Sequence, residues 1–315
     1  MSEQPLVSIS CITYNHAPFL RKCLDSFLSQ VTAFPFEVVI HDDASTDGTQ
    51  EIILEYCDKY PGVFFPLLQK ENQYSKGVRG MMAKFNFPRC RGKYIALCEG
   101  DDYWTDNEKL QKQVDVLETN PEVVLAGHDA MIINQNGELV SKSKLPPEKK
   151  RNCSSLELQK SFYVLTQSMC FRNLPFLKNM PPESFKSKMG DVFLISMLGQ
   201  FGSFRYMPEI KPTAYRIHEK GIWGMKNEAE RIMMMHSAFV QLSSYYGRIK
   251  DRRMELYHAG MVLENANKLL KLEINKAATV FQKFHAVYKY LISHFIFQKP
   301  LIVIKLYYMS LLRKQ

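Results

Sequence analysis

The sequence predicts an α/β fold, with a mostly parallel central sheet flanked by helices and an α-helical C-terminal appendage. Short apolar runs typical of buried parallel strands alternate with segments of helical periodicity from residue 6 to about residue 120. Acidic residues cluster where two of these runs end, and from about residue 226 the periodicity is helical only. We therefore expect two domains, covering residues 1–225 and 226–315.

The first half of the chain supplies the parallel sheet. Apolar runs predict four strands, at Leu6–Thr13, Glu37–Ile40, Val63–Leu68 and Tyr94–Cys98. Apolar residues at helical spacing predict the connecting helices, at residues 19–28, 52–56 and 110–117.

The following hundred residues are less regular. Val123–Ala126 and Ala130–Asn134 are predicted to extend the sheet, with a hairpin turn at residues 135–137. Residues 141–155 read as a mobile loop, residues 163–171 as a strand and residues 191–198 as a helix. Two further short strands are predicted at residues 204–207 and 213–217.

The C-terminal region carries the positive charge. The net charge is +9, and residues 226–315 hold 15 Lys and Arg against 6 Asp and Glu, so the first 225 residues are neutral. Residues 275–315 contain no acidic residue and form a basic, aromatic-rich helical pattern. This pattern suits an anionic membrane surface, or equally a helical appendage packed on the first domain. Charged residues and Pro300 interrupt it too often for a membrane span.

Composition narrows the class of protein. With 315 residues and 46% hydrophobic content, the chain can bury a large core. Its seven cysteines are scattered without a C-x-x-C pair, which favours free thiols in a reducing compartment. No signal-peptide pattern begins the sequence, so we expect a cytoplasmic protein, peripheral on the inner face of a membrane if the basic helices bind lipid.

The acidic residues at the end of the fourth strand are the strongest functional signal. Glu99, Asp101 and Asp102 lie within four residues, where carboxylates repel one another unless a cation or solvent neutralises them. Oxygen ligands suit Mg²⁺ or Mn²⁺. A solvated loop that caps the next helix is the alternative. A second cluster, Asp42-Asp43, also ends a strand, and two such clusters indicate one crevice at the carboxyl edge of the sheet.

Three segments together resemble the inverting GT-A glycosyltransferases, glycosyltransferase family 2. The resemblance covers roughly residues 5–225 and rests on the order and spacing of Val7-Ser8-Ile9-Ser10-Cys11-Ile12-Thr13-Tyr14-Asn15, Asp42-Asp43-Ala44-Ser45-Thr46-Asp47-Gly48-Thr49 and Gly92-Lys93-Tyr94-Ile95-Ala96-Leu97-Cys98-Glu99-Gly100-Asp101-Asp102-Tyr103-Trp104. It implies a Rossmann-like nucleotide-binding half joined to an acceptor-binding half, and sugar transfer from a nucleotide-sugar with Mg²⁺ or Mn²⁺.

The resemblance also implies a donor site. Residues 12–15 would hold the nucleoside, with Tyr14 against the base and Asp43 hydrogen-bonded to it, uracil being the commonest case. Glu99 replaces the usual first Asp of a D-x-D-D element, in which Asp101 would contact the donor and Asp102 would bind the metal. Arg79 or Lys84 would reach the phosphates. The four residues implied to hold the nucleoside are Ile12, Thr13, Tyr14 and Asn15.

The second half supplies the remaining implied roles. Asp191 matches the general base at the start of a helix, although Gly190 stands where the family often has an acidic residue, and a helix N-cap is the alternative role. Residues 215–218 match a Y-R-x-H element, in which His218 would reach the metal or diphosphate. Trp223 would cover the donor sugar. The other seven histidines are predicted to be structural.

The resulting hypothesis is a metal-dependent inverting transferase that uses a UDP-sugar and a glycan or lipid-linked acceptor in cell-envelope polysaccharide synthesis. A phosphoryl-transfer enzyme would need an Asp nucleophile after the first strand, and residues 11–15 contain none. A nucleic-acid-binding protein is disfavoured by the neutral first 225 residues, and no nucleic-acid partner is expected. A non-catalytic nucleotide-binding member of the family remains the other alternative.

Overall fold

The computed structural model describes residues 4–219, 221 and 226–276. These residues fall into two compact units, one ending before residue 226 and one beginning there. The first unit holds ten strands and five α-helices. The strands are β1 (Val7–Thr13), β2 (Phe36–Asp42), β3 (Phe64–Leu68), β4 (Tyr94–Glu99), β5 (Val123–Gly127), β6 (Ala130–Ile133), β7 (Leu139–Ser141), β8 (Cys170–Arg172), β9 (Ser203–Tyr206) and β10 (Thr213–Arg216). The helices are α1 (Ala17–Leu28), α2 (Thr49–Lys59), α3 (Lys109–Thr119), α4 (Ser155–Gln159) and α5 (Gly190–Leu198).

Seven strands form the main sheet, in the order β3-β2-β1-β4-β8-β5-β9. The pairs β1–β2, β1–β4 and β2–β3 are parallel, whereas β8 runs antiparallel between β4 and β5. The predicted mostly parallel sheet is therefore confirmed. Because β1 and β4 are central and parallel, the loops that follow them leave the sheet at the same edge.

The two faces of the sheet are covered differently. Alternate residues of β1 and β4, including Ile9 and Ala96, join one buried apolar cluster with side chains of α1, α2 and α3. On the other face a single π-helical turn, Met82–Asn86, lies across the strands. The buried amide of Asn86 donates to Ser10 Oγ at 3.1 Å and to the Cys11 carbonyl at 2.8 Å. The central strands are thus fixed from both sides.

Two predicted strands differ in the structure. β6 does not extend the main sheet but pairs with β7 and β10 in a second sheet of three strands. The predicted hairpin between β6 and β7 is present. Residues 163–171 are irregular around a short 3₁₀ helix, and strand pairing there is confined to β8. Val164, Leu165 and Met169 are all buried without the alternation of a sheet face.

The segment predicted to be a mobile loop is anchored. Asp129, just after β5, accepts hydrogen bonds from the amides of Lys144 at 3.2 Å and Leu145 at 2.9 Å. It also accepts from the Ser143 hydroxyl at 2.6 Å and pairs with Lys150 at 2.8 Å. One buried carboxylate therefore holds the loop beside the second sheet. The composition of the loop itself does not predict this contact, because Asp129 lies outside the loop in the sequence.

The second unit is helical, as predicted for this part of the chain. Its helices are α6 (Glu228–Arg248) and α7 (Arg252–Lys276). Asn227 and Glu230 form a reciprocal capping box at the start of α6. None of the described helices is both long enough and apolar enough to cross a membrane. Most of the basic segment 275–315 lies outside the described residues.

We predict that Asp129→Asn weakens the fold around the anchored loop. Loss of the charge-assisted bonds should lower the free energy of unfolding by about 1–3 kcal/mol and speed cleavage within residues 141–150. Burial raises the pKa of Asp129, but Lys150, Ser143 and backbone amides outweigh it and the pKa lies below its usual value. The contribution should therefore be present above about pH 4 and be lost as the pH falls through the folded-state pKa.

Urea unfolding at several pH values and limited proteolysis measure both effects. Glu148→Gln is the matched control, because Glu148 is an exposed carboxylate in the same loop. Equal stability of Asp129→Asn and the wild type at pH 7 would show that the loop is held by other contacts.

Candidate active site

Residues 99–102, called the acidic loop below, begin where β4 ends beside β1. Ile12 and Glu99 are register partners, and the Gly100 amide donates to the Ile12 carbonyl at 2.9 Å. A Cβ at position 100 would lie 2.9 Å from Thr13 Oγ1 and 3.1 Å from His16 Nδ1. Glycine at this position therefore lets the acidic loop approach the turn between β1 and α1.

Asp102 is held by one oxygen and leaves the other without a partner. Its Oδ1 accepts from the Arg216 amide at 2.8 Å. Asp102 is only 2% exposed, and its Oδ2 is buried without a hydrogen-bond partner among the described residues. Burial, followed by the charges of Asp101 and Glu99, raises the pKa of Asp102 well above its usual value. A buried carboxylate oxygen with no partner is costly unless a cation occupies the space before it.

β10 fastens the acidic loop from the second sheet. Tyr103 and Ala214 exchange backbone hydrogen bonds of 3.3 and 2.9 Å. The Arg216 guanidinium donates to the Asp101 carbonyl at 2.9 Å and to the carbonyls of residues 134 and 135 at 3.1 Å. Arg216 thus links β10, the β6–β7 turn and the acidic loop, and it places the residues after β10 beside the carboxylates.

Asp101 faces two imidazoles. Its Oδ2 lies 3.0 Å from His218 Nε2 and 3.9 Å from His16 Nε2. Burial raises the pKa of Asp101, but the two histidines outweigh it and the pKa lies below its usual value. His218 is also packed against Phe19, with ring centroids 5.2 Å apart. The structure therefore places His218 beside Asp101, within the predicted acidic cluster.

Asp191 and Glu99 approach the same space from different elements. Burial raises the pKa of Glu99 to about 8, with further contributions from Asp101 and Asp191. Burial also raises the pKa of Asp191, which lies in the first turn of α5. The start of α5 is thus close enough to the acidic loop for its carboxylate to act on Glu99.

Lys144 is a cation whose charge acts on two of these carboxylates. Its ammonium lies 3.6 Å from the ring centroid of Tyr215, and its charge partly offsets the raised pKa values of Glu99 and Asp102. The anchored loop delivers this side chain, because the Lys144 amide donates to Asp129 and, at 2.7 Å, to the Ala130 carbonyl. Sequence analysis placed Lys144 in a mobile loop and assigned it no role.

The turn after β1 combines an exposed ring with a fixed backbone. Tyr14 is 46% exposed, whereas Thr13 is buried and its hydroxyl has no partner within the described part of the chain. Asn15 adopts a left-handed conformation with φ of 53°, and its amide donates to Ser45 Oγ at 2.8 Å. Of the residues predicted to hold a nucleoside, Ile12 and Thr13 belong to the strand, Asn15 shapes the turn and Tyr14 offers its face.

Asp43 has hydrogen-bond partners of its own. Its Oδ1 accepts from the Gln73 amide at 2.8 Å and its Oδ2 from the Tyr74 amide at 3.0 Å. Asp43 thereby holds the loop after β3 against the end of β2. Each carboxylate oxygen retains a second lone pair, so the predicted contact to a base stays open.

Arg79 and Lys84 line a cavity of about 310 Å³ together with Val78 and Phe185. The Arg79 guanidinium stacks 4.1 Å from the Tyr74 ring centroid and donates to the Tyr74 carbonyl at 2.9 Å. Within the described residues, no hydrogen bond or ion pair joins either cation to the acidic cluster. Trp223 lies outside the described residues, so its predicted contact with the donor sugar stays a prediction.

The nitrogen and oxygen atoms of this site could bind a divalent cation. Two groups of ligand atoms, each within 4.8 Å of one another, share Asp101. The first contains His16, Asp101 and His218, and the second contains Glu99, Asp101 and Asp102. The unpartnered Oδ2 of Asp102 is the observation that favours an ion here, because acidic groups alone are common without one.

His16 lies in the acidic site, where sequence analysis did not place it. It was predicted to be structural, yet it lies beside Asp101 in the acidic site. The strand pattern contained the signal: residues that follow two parallel strands share one edge, and His16 follows β1 as Asp101 follows β4.

The family is established by comparison. Residues 8–176 match the family described as Glycosyl transferase family 2, which is more than half of the chain. The chain belongs to glycosyl transferase family 2. The turn after β1, Asp43 and the carboxylates after β4 lie within the matched residues, whereas Asp191 and His218 lie beyond them.

Two relatives illustrate what this family 2 domain resembles. An uncharacterized protein of Mycobacterium tuberculosis is 38% identical over 220 residues, which are 69% of this chain and 60% of that protein. The chain therefore spans less than two thirds of the length of this relative. The UDP-Glc:alpha-D-GlcNAc-diphosphoundecaprenol beta-1,3-glucosyltransferase WfaP of Escherichia coli is 32% identical over 143 residues, 45% of this chain and 53% of that enzyme.

Solved structures support the fold. TarS 1–349 of S. aureus in complex with UDP-GlcNAc has a TM-score of 0.62, with 91% of this chain and 81% of that chain covered. The mannosyltransferase PcManGT from Pyrobaculum calidifontis, in complex with GDP-Man and Mn²⁺, has a TM-score of 0.55, with 93% and 81% covered. Both are 16% identical to this chain, so the likeness concerns the GT-A fold alone.

We predict that Gly100→Ala disrupts the site. The added methyl group would press on Thr13 and His16, so the free energy of unfolding should fall by about 1–3 kcal/mol and the acidic loop should be displaced. Thermal unfolding, together with the ¹H–¹⁵N spectrum of the residues around His16, measures this. Gly190→Ala is the control, since no atom lies within 4 Å of a Cβ there. Indistinguishable Gly100→Ala and wild-type proteins would contradict the close approach.

Proposed function

We propose that this chain is a metal-dependent inverting glycosyltransferase that transfers a sugar from a nucleoside diphosphate sugar to a hydroxyl of a glycan or lipid-linked acceptor. The observation that carries the proposal is the carboxylate cluster at the carboxyl edge of β1 and β4. There Asp102 Oδ2 is buried without a partner among the described residues, and the charge of Asp191 contributes to the raised pKa of Glu99. This is where open α/β sheets bind nucleotides.

The donor is bound, in this proposal, between the turn after β1 and the acidic loop. Tyr14 supplies an exposed ring for the base, and Asp43 accepts from it at the end of β2. A UDP-sugar is the proposed donor. Two similar proteins support it by name, since one is a UDP-Glc-dependent enzyme and the other was solved with UDP-GlcNAc, although a third was solved with GDP-Man.

Asp102, Asp101 and His218 are the proposed metal ligands, and Mn²⁺ or Mg²⁺ is the proposed ion. When bound, such an ion supplies a Lewis acid for the charge that develops on the departing diphosphate. Arg79 or Lys84, in the cavity beside Phe185, and Lys144, over Tyr215, are the cations proposed to meet the phosphates. Glu99 contacts the donor ribose or sugar from the end of β4.

Asp191 is the proposed general base. It accepts the proton of the acceptor hydroxyl as the hydroxyl oxygen bonds to the anomeric carbon and the bond to the β-phosphate oxygen breaks. A single displacement of this kind inverts the anomeric centre. The raised pKa of Asp191, which burial causes, makes it a better proton acceptor than an ordinary aspartate.

The acceptor and the cellular location are proposed from the relatives and the charge pattern. The similar WfaP enzyme acts, by its name, on a diphosphoundecaprenol-linked sugar. A lipid-linked acceptor would place this chain at the cytoplasmic face of a membrane. The basic segment 275–315 suits an anionic surface there.

A binding scan tests the proposed function. Purified protein is heated with UDP, GDP, dTDP or ADP, each with and without Mn²⁺, and the midpoint of unfolding is measured. Stabilisation by one diphosphate, dependent on metal and lost in Asp102→Ala, is the expected result. No stabilisation by any nucleotide would overturn the proposal. Nucleotide binding without turnover on any acceptor would favour a non-catalytic member of the family.

We predict that Asp191→Asn abolishes transfer while nucleotide binding is retained. Removal of the general base should lower kcat by about 10²–10⁴-fold. In the wild type, kcat should fall as the pH drops through the pKa of Asp191, which burial places above its usual value. Asp58→Asn, at an exposed position of α2, is the control. Full activity of Asp191→Asn in a nucleotide-release assay would assign the base elsewhere.

A further inference from the structure

Two imidazole nitrogens converge on one carboxylate oxygen. His218 Nε2 and His16 Nε2 lie 3.0 and 3.9 Å from Asp101 Oδ2, and all three atoms lie within 4.8 Å of one another. Two ligands about 2.1 Å from an ion and at right angles are about 3.0 Å apart, and trans ligands are about 4.2 Å apart. The observed separations thus fall in the range of ligands that share one ion.

His16 reaches this position through a rigid turn. The His16 amide donates to Thr49 Oγ1 at 3.0 Å, and Thr49 Oγ1 in turn donates to Asp47 at 2.6 Å. The His16 carbonyl accepts from Phe19 and Leu20 at 2.9 Å as α1 begins. These contacts fix the backbone of His16 at both of its polar groups, so the imidazole is presented to Asp101 by the fold itself.

The ring nitrogens of His16 lack a sufficient protein partner. Nδ1 is buried and, like Thr13 Oγ1, has no hydrogen-bond partner among the described residues. Nε2 is too far from Asp101, at 3.9 Å, for a hydrogen bond. A neutral imidazole whose Nε2 makes no hydrogen bond can offer the lone pair of that nitrogen to a metal ion.

A second observation points to an ion in the same place. Asp102 Oδ2, on the next residue, is buried without a partner in the described part of the chain. The ligand atoms of Glu99, Asp101 and Asp102 form a second group within 4.8 Å of one another. Asp101 thus belongs both to the group with the two imidazoles and to the group with this carboxylate. Neither His16 Nδ1 nor Asp102 Oδ2 has a hydrogen-bond partner among the described residues.

We propose that His16 is a nitrogen ligand of the metal site and makes the site selective for Mn²⁺, or a similar first-row transition ion, over Mg²⁺. This inference rests on the proposed function, since it concerns the metal assigned there. Mg²⁺ prefers oxygen ligands in a near-ideal octahedron, whereas imidazole suits transition ions. A site with two imidazoles, from His16 and His218, beside the carboxylate of Asp101 therefore favours the transition ion.

Mn²⁺ binding to the full chain tests the proposal without an activity assay. EPR titration of Mn²⁺, with and without UDP, gives the affinity of the wild type, His16→Gln and the control His236→Gln, which lies on α6 in the second unit. We expect His16→Gln to weaken Mn²⁺ binding about tenfold or more and to change Mg²⁺ affinity, measured by competition, less than about twofold. His236→Gln should bind both ions as the wild type does.

Pulsed EPR of the wild type provides a measurement that needs no variant. Two ¹⁴N couplings to bound Mn²⁺ are expected, and one should remain in His16→Gln. A single nitrogen in the wild type, or unchanged Mn²⁺ affinity in His16→Gln, would overturn the role of His16 and leave a metal-dependent transferase intact. Metal-independent UDP binding with no Mn²⁺ bound would overturn the metal site itself, and absence of UDP binding would overturn the proposed function.

Discussion

Three carboxylates share one partly buried space, and most of the site is arranged around their repulsion. Glu99, Asp101 and Asp102 have ligand oxygens within 4.8 Å of one another. In water such charges would be screened, but burial strengthens their interaction and raises the pKa values of Glu99 and Asp102. Neighbouring groups partly offset this repulsion. The Arg216 amide donates to Asp102, two imidazoles lower the pKa of Asp101, and the charge of Lys144 lowers that of Glu99.

The supporting structure limits how far this cluster can relax. Gly100 allows the acidic loop to lie against the turn after β1, and a side chain there would push the two apart. Arg216, on β10 of the second sheet, donates two hydrogen bonds to this loop, one from its amide and one from its guanidinium. Its guanidinium donates two more to the β6–β7 turn. Because both sides are fixed, the carboxylates cannot separate, and a cation that enters relieves strain already present in the fold.

The sequence predicted the parallel half of the fold and the position of the acidic residues at the carboxyl edge of its sheet, because both depend on local signals. Buried strands announce themselves as apolar runs, and Glu99 to Asp102 follow one of them directly. The structure of the second half was harder to predict, because it depends on contacts between residues far apart in the sequence. Asp129 binds the Lys144 amide, which is 15 residues away in the sequence. β8 pairs antiparallel with β4, although its sequence shows no alternation of apolar and polar residues. His16 lies beside Asp101 only because β1 and β4 are neighbours in the sheet.

The charge balance also connects ion binding with donor binding. The carboxylates of Glu99, Asp101 and Asp102 act on one another at close range, so a diphosphate that entered alone would meet like charge. A divalent ion would offset the charge of the carboxylates and that of the diphosphate together. The arrangement therefore favours a site in which the ion and the nucleoside diphosphate sugar bind together.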